Sequence, residues 1–178
     1  MNLIFRLIRV MISALLGKRQ GPLDTSEVSF RAWPLDLDIN MHMTNARYLS
    51  MMDLGRTDLL IRAGMLGTVM RERWLPVVGS INIRFRRSLN PFQRFTVKTR
   101  LLCWDAKWFY MEQRIESAEG LHSAAIVRGL FRGPKGSVPT EALLRAIDYD
   151  GVTPEIPPEV AALVEWEENN KQALAANA

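Results

Sequence analysis

The order of two periodicities constrains this chain more than any other feature. One long stretch with helical spacing comes first, followed by four runs in which apolar and polar side chains alternate. In the helical stretch, which starts at Asn45, Tyr48, Met51, Met52, Leu59 and Leu60 fall on one side, and Gly64 is a natural stop. Beyond it Ile81, Ile83 and Phe85 alternate with Asn82, Arg84 and Arg86. Phe95, Val97, Thr99 and Leu101 form one face of the next run, and Phe109, Met111, Gln113 and Ile115 one face of the third. Residues 123–131 are apolar enough for an interior strand. Turn signals at Asn90-Pro91, Trp104-Asp105 and Glu119-Gly120 separate these runs at hairpin intervals. A further alternating run, residues 27–33, precedes the helix. A helix this apolar needs a sheet to bury it, so the expected class is α+β, with an antiparallel sheet around one helix.

Composition narrows the field. A chain of 178 residues predicts one domain, at roughly 100–200 residues per domain. With 48% apolar and 24% charged residues it is neither disordered nor a polytopic membrane protein. One cysteine, Cys103, leaves no material for a disulfide framework or a multi-cysteine metal site, and its place in a strand pattern predicts a structural thiol. Charge is uneven. Residues 1–140 carry 21 Lys+Arg against 11 Asp+Glu (+10), and residues 141–178 carry 2 against 8 (−6), giving the net +4. Arginine outnumbers lysine 18 to 5, which suits bidentate contacts to phosphate or carboxylate as well as a plain solvated face. No stacking-aromatic signature accompanies the basic run, so no nucleic-acid partner is expected. The predicted layout is an N-terminal amphipathic helix (1–16), a linker (17–26), a main domain (27–138) and an acidic C-terminal helical extension (139–178).

Residues 1–16 are the compositional anomaly. They are too short, and interrupted by Arg6 and Arg9, to cross a bilayer that needs about 20 apolar residues. Asn2, Arg6, Arg9 and Ser13 recur at helical steps as a narrow polar stripe, with apolar side chains around the rest. Three readings stay open: a helix lying in a membrane interface, a helix packed on the domain or a twin subunit, and an uncleaved signal anchor. The expected location is cytoplasmic, with peripheral membrane contact through this helix.

The chemistry-bearing residues concentrate in residues 36–48, DLDINMHMTNARY. The Asp-x-Asp-x-Asn spacing is that of a calcium loop, but the sixth position is Met41 rather than glycine and the twelfth is Arg47 rather than glutamate. Calcium is therefore excluded, and no metal or cofactor is expected. A carboxylate, an amide and an imidazole at alternate positions stand directly ahead of a helix that Thr44 or Asn45 can cap. Loop structure alone could explain each residue; four polar side chains with a tyrosine are less ordinary.

This segment resembles the D-x-D-x-N-x-H-x-x-N-x-x-Y signature of hotdog-fold thioesterases, including the 4-hydroxybenzoyl-CoA thioesterase-like and acyl-ACP thioesterase families. The resemblance extends over roughly residues 1–135 and is strongest to the thioesterase superfamily member six-like branch. It implies a long helix wrapped by the antiparallel sheet, a homodimer or higher symmetric oligomer, and an acyl-CoA or acyl-carrier-protein thioester bound at the subunit interface. By this likeness Asp38 is nucleophile or general base, and Asn40, His42 and Asp53 are catalytic. Asn45 and Tyr48 contact substrate. Arg84, Arg86 and Arg87 are open to CoA phosphates. The implied function is thioester hydrolysis in fatty acid metabolism; the alternative is a non-catalytic acyl- or lipid-binding module at a membrane surface.

Overall fold

A computed structural model describes residues 3–176, and side chains as far as residue 170. Asn2, which begins the polar stripe, and residues 177–178 of the extension lie outside the described residues. The chain opens with helix α1 (Leu3–Leu16), strand β1 (Ser26–Arg31) and a single 3-10 turn (Pro34–Asp36). Helices α2 (Asn45–Arg62) and α3 (Leu66–Arg71) follow. Then come β2 (Leu75–Phe85), β3 (Arg94–Trp104), β4 (Phe109–Ser117), β5 (Gly120–Gly133) and β6 (Gly136–Val138), before α4 (Thr140–Arg145) and α5 (Pro158–Ala176).

All strands join one antiparallel sheet in the order β1-β3-β4-β5-β2, with β6 added beside β5. The apolar run expected in the interior is β5, hydrogen-bonded to β4 on one side and β2 on the other. Inward-facing residues follow the alternation of the sequence: Phe95, Val97 and Thr99 on β3, and Met111, Gln113 and Ile115 on β4, are buried. Against them α2 lays Tyr48, Met51, Met52, Leu54 and Leu59. Thr44 caps α2, its Oγ1 accepting from Arg47 N–H at 3.3 Å. Gly64, at φ +79°, turns the chain away after the helix ends. This is the hotdog arrangement, one long helix held in a curled antiparallel sheet.

The C-terminal extension is packed on the body. In α4, Leu143 joins Val69, Phe131 and Val138. In α5, Val160 packs with Cys103 and Tyr110, on the sheet face opposite α2. Cys103 is fully buried, and burial, with a smaller push from Asp105, raises its thiol pKa to about 11. It is a structural thiol, since the reactive thiolate is suppressed.

Helix and sheet approach each other tightly at Gly55. A Cβ there would lie 2.7 Å from Thr99 Oγ1 and 2.8 Å from Val97 Cγ1. Overpacking of this kind costs about 1–3 kcal/mol, so Gly55→Val is expected to lose that much in a denaturant titration. Unchanged stability would mean that the sheet can retreat from α2 at this point.

Candidate active site

The motif folds as a short closed loop at the head of α2. Leu37 and Met43 form an isolated antiparallel bridge. Inside it Asp38 N–H donates to His42 C=O at 2.9 Å, and Met41 N–H to Asp38 C=O at 3.1 Å. The Asp38 side chain closes the loop: its Oδ1 accepts from Asn40 N–H at 2.8 Å and His42 N–H at 3.2 Å. Met41 takes a left-handed φ of +59° to complete the turn. Asp38 Oδ2, the Asn40 amide and the His42 ring have no partner among the described residues, and all three side chains are exposed. Just beyond, the N–H groups of Asn45 and Ala46 open α2 without an acceptor among the described residues, as first-turn donors do. The structure thus brings Asp38, Asn40, His42 and Asn45 to one exposed helix N-terminus.

Tyr48 goes elsewhere. It is buried in the core, and its Oη accepts from Leu89 N–H at 3.0 Å and donates to Arg87 C=O at 3.2 Å. Burial pushes its pKa up. Its proton is committed to the backbone between β2 and β3, which is a brace for that connection. Of the three arginines read as open to phosphate, Arg84 and Arg86 are exposed on and just after β2, while Arg87 donates to Glu119 C=O at 2.5 Å.

Two residues outside the candidate catalytic and substrate-binding set hold the loop in place. Asp36, at 1% exposure, lies at the loop's base, and Arg6 of α1, equally buried, donates from Nη2 to its Oδ2 at 2.5 Å. The same oxygen accepts from Trp33 N–H at 2.8 Å, and Asp36 C=O accepts from Thr44 N–H at 3.0 Å. Arg47 Nε approaches the other carboxylate oxygen at 3.4 Å. Arg6 also reaches Met51 Sδ at 3.1 Å and Arg31 C=O at 3.3 Å. The stripe containing Arg6 was visible in the sequence; its inward direction was not.

Asp53 sits nine residues past the Thr44 cap, about 13 Å along the axis at 1.5 Å per residue. It is exposed and pairs with Arg56, which also donates to Gln113 Oε1. Burial lowers the Arg56 pKa, with Asp53 opposing that shift. Gln113, fully buried, continues the network from Nε2 to Met52 C=O at 2.8 Å and Thr99 Oγ1 at 2.9 Å. A polar residue on the otherwise apolar face of β4 was the available signal for this network. Asp53, Arg56 and Thr57 belong to the wall of an apolar cavity of about 250 Å³, whose other lining includes Leu60, Val77, Met111, Phe131 and Leu143. Asp38, Asn40 and His42 do not line it. The chain therefore carries two separate features: an exposed polar loop, and an apolar cavity with an Asp–Arg pair in its wall.

Comparison with known proteins gives this geometry its context. The model of the thioesterase-like superfamily matches residues 32–164, spanning the loop, α2 and every strand of the sheet except β1. The chain belongs to the thioesterase-like superfamily. Protein THEM6 of Xenopus laevis is 32% identical over 143 residues, covering 80% of this chain and 69% of that protein. A probable thioesterase of Saccharomyces cerevisiae is 27% identical and covers 63% of this chain, which spans half (50%) of that protein. Among solved structures, a probable thioesterase from Bartonella henselae superposes with a TM-score of 0.59 at 27% identity, covering 65% of this chain and 97% of that one. As a superfamily member the protein falls in the enzyme class of thioester hydrolases. Among the described residues no group of His, Cys, Asp and Glu is placed to hold a metal ion.

The Arg6–Asp36 pair yields a direct test. Removing one partner of a buried ion pair typically costs about 3–5 kcal/mol, because the other charge is left in the interior. Arg6→Met is expected to lose that much by denaturant unfolding, and adding Asp36→Leu to recover part of it. Equal instability of the single and double variants would remove the stranded charge as the cause.

Proposed function

We propose that the protein hydrolyses an acyl thioester of CoA or of a carrier protein to the free acid and thiol, as a homodimer. The observation that carries this reading is the exposed loop itself. A carboxylate oxygen, an amide and an imidazole without partners stand ahead of two N–H groups of α2 that have no acceptor. A helix N-terminus supplies fixed positive ends of dipoles, so a thioester carbonyl placed there has its developing oxyanion stabilised by the Asn45 and Ala46 N–H groups. Asp38 Oδ2 accepts a proton from the attacking water, or attacks the carbonyl carbon itself to form an acyl-enzyme that water then opens. Either way the C–S bond breaks and the thiol leaves. Asn40 and His42 orient the attacking species.

The apolar cavity supports an aliphatic or aryl acyl group rather than a charged one, with Asp53 and Arg56 in its wall. Loop and cavity are separate within one protomer, which favours assembly. Strand β2 lies at the edge of the sheet and leaves Leu75, Val77, Val78 and Phe85 between 37% and 66% exposed. An open edge of this length invites pairing with a second copy. Pairing there would cover those side chains and set the cavity of one subunit at the shared interface, as the family resemblance implies.

Two measurements test the proposal. Purified protein is expected to scatter light as a dimer or larger symmetric oligomer at micromolar concentration; a monomer would contradict the shared site. In Asp38→Asn the loop keeps its Oδ1 acceptor and loses only the charge. Turnover of an acyl-CoA panel, followed with a thiol reagent, is expected to fall by about 10²–10⁴ with an unchanged melting temperature. Wild-type turnover by the folded variant would remove Asp38 from the chemistry. Saturable acyl-CoA binding with no thiol release by the wild type would favour a binding module instead.

A further inference from the structure

Helix α1 is docked the wrong way round for a helix whose outer face meets water. An ordinary amphipathic helix buries its apolar stripe and exposes its charges. Here the side turned inward carries Arg6 along with Val10 and Ala14, all at most 4% exposed. Arg9 is also drawn toward the body, donating from Nη2 to Ser29 C=O at 2.7 Å and lying 5.1 Å above the Phe30 ring. The outward side is apolar: Phe5 is 64% exposed, Ile8 47%, Ile12 53%, Leu15 59% and Leu16 84%. Their spacing of three, four, three and one places them on one continuous face. The Arg6–Asp36 pair fixes the rotation of the helix that presents it.

We propose that this face lies in the interfacial region of a bilayer containing anionic lipid. Charge complementarity selects that partner. Residues 1–23 contain no Asp or Glu, the first acid being Asp24, and Lys18 and Arg19 stand exposed immediately after the helix. Cations at the rim of an apolar helix face match the headgroups of an anionic leaflet. A second copy of the chain could cover the apolar residues, but its α1 segment offers the same cations and no acid. Among the described residues no helix is long and apolar enough to cross a membrane, so the arrangement is one of lying along the surface. The docked helix is tied to the Asp38 loop through Arg6, Asp36 and the Asp36–Thr44 backbone bond, so lipid contact would hold that loop beside the bilayer.

The test is co-sedimentation of the full chain with phosphatidylcholine–phosphatidylserine vesicles and with phosphatidylcholine alone, without substrate, so that its outcome is independent of the hydrolase reading. The wild type is expected to bind the mixed vesicles. The exposed-face variant Phe5→Ser/Ile8→Ser/Ile12→Ser is expected to bind at least about tenfold more weakly with its melting temperature retained. Lys18→Glu/Arg19→Glu is expected to lose roughly tenfold or more on mixed vesicles and little on phosphatidylcholine alone. Failure of the wild type to bind mixed vesicles overturns the proposal, as does undiminished binding by the exposed-face variant. A smaller oligomer for that variant in light scattering, with no vesicle binding by the wild type, would reassign the face to contact between copies.

Discussion

A carboxylate at 1% exposure organises the head of this molecule. Asp36 stands where α1, the end of β1 and the start of α2 converge, and a charge withdrawn from water there is tolerated only if its surroundings are arranged for it. Arg6 brings a guanidinium from one helix, Trp33 an N–H from the strand exit, and Arg47 a second cation from the first turn of α2. The Asp36 backbone then accepts from Thr44, the residue that caps α2. Two residues further on, Asp38 closes the loop. The exposed chemistry of Asp38, Asn40 and His42 is thus built directly on a buried electrostatic anchor, and α1 is part of that anchor.

The rest of the body depends on how closely α2 can lie on the sheet. Gly55 sets that distance, and Gln113 fills the space beside it with hydrogen bonds to α2 and β3 where the other inward residues of β4 are apolar. The same polar network reaches Arg56 and Asp53 at the cavity wall. Packing and the polar groups are therefore linked at two points along α2, by Asp36 at its head and by Gln113 near its middle. Thr140, Leu143 and Leu144 of α4 line the cavity, which makes the C-terminal extension part of its wall.

Two surfaces of the chain are unsatisfied in different ways. The β2 edge offers backbone hydrogen bonds and half-exposed aliphatics, which a second copy of the same strand can match. The outer face of α1 offers apolar side chains bordered by cations and no backbone donors, which a lipid surface can match. Under the two proposals, the first surface serves assembly and the second serves location.

Much of the architecture was legible in the sequence, because periodicity is local. The period of α2, the inward faces of β3 and β4, the turns between strands and the concentration of polar groups ahead of a helix each depend on neighbours a few positions apart. Tertiary structure decided which way those elements turn and what they meet. Tyr48 has the spacing of a core residue and the chemistry of a site residue, and only the nearby Leu89 and Arg87 backbone settled it into the core. The family resemblance implies catalytic roles for both Asp38 and Asp53, yet one stands on the exposed loop and the other at the cavity wall, because a straight helix carries them apart. Arg6 sits in a stripe that hydropathy alone would send to solvent, and it points inward because Asp36, thirty residues away in sequence, holds the opposite charge in a place that water does not reach. Periodicity records which side of a helix is polar; which side faces the protein depends on partners that only the folded chain brings within range.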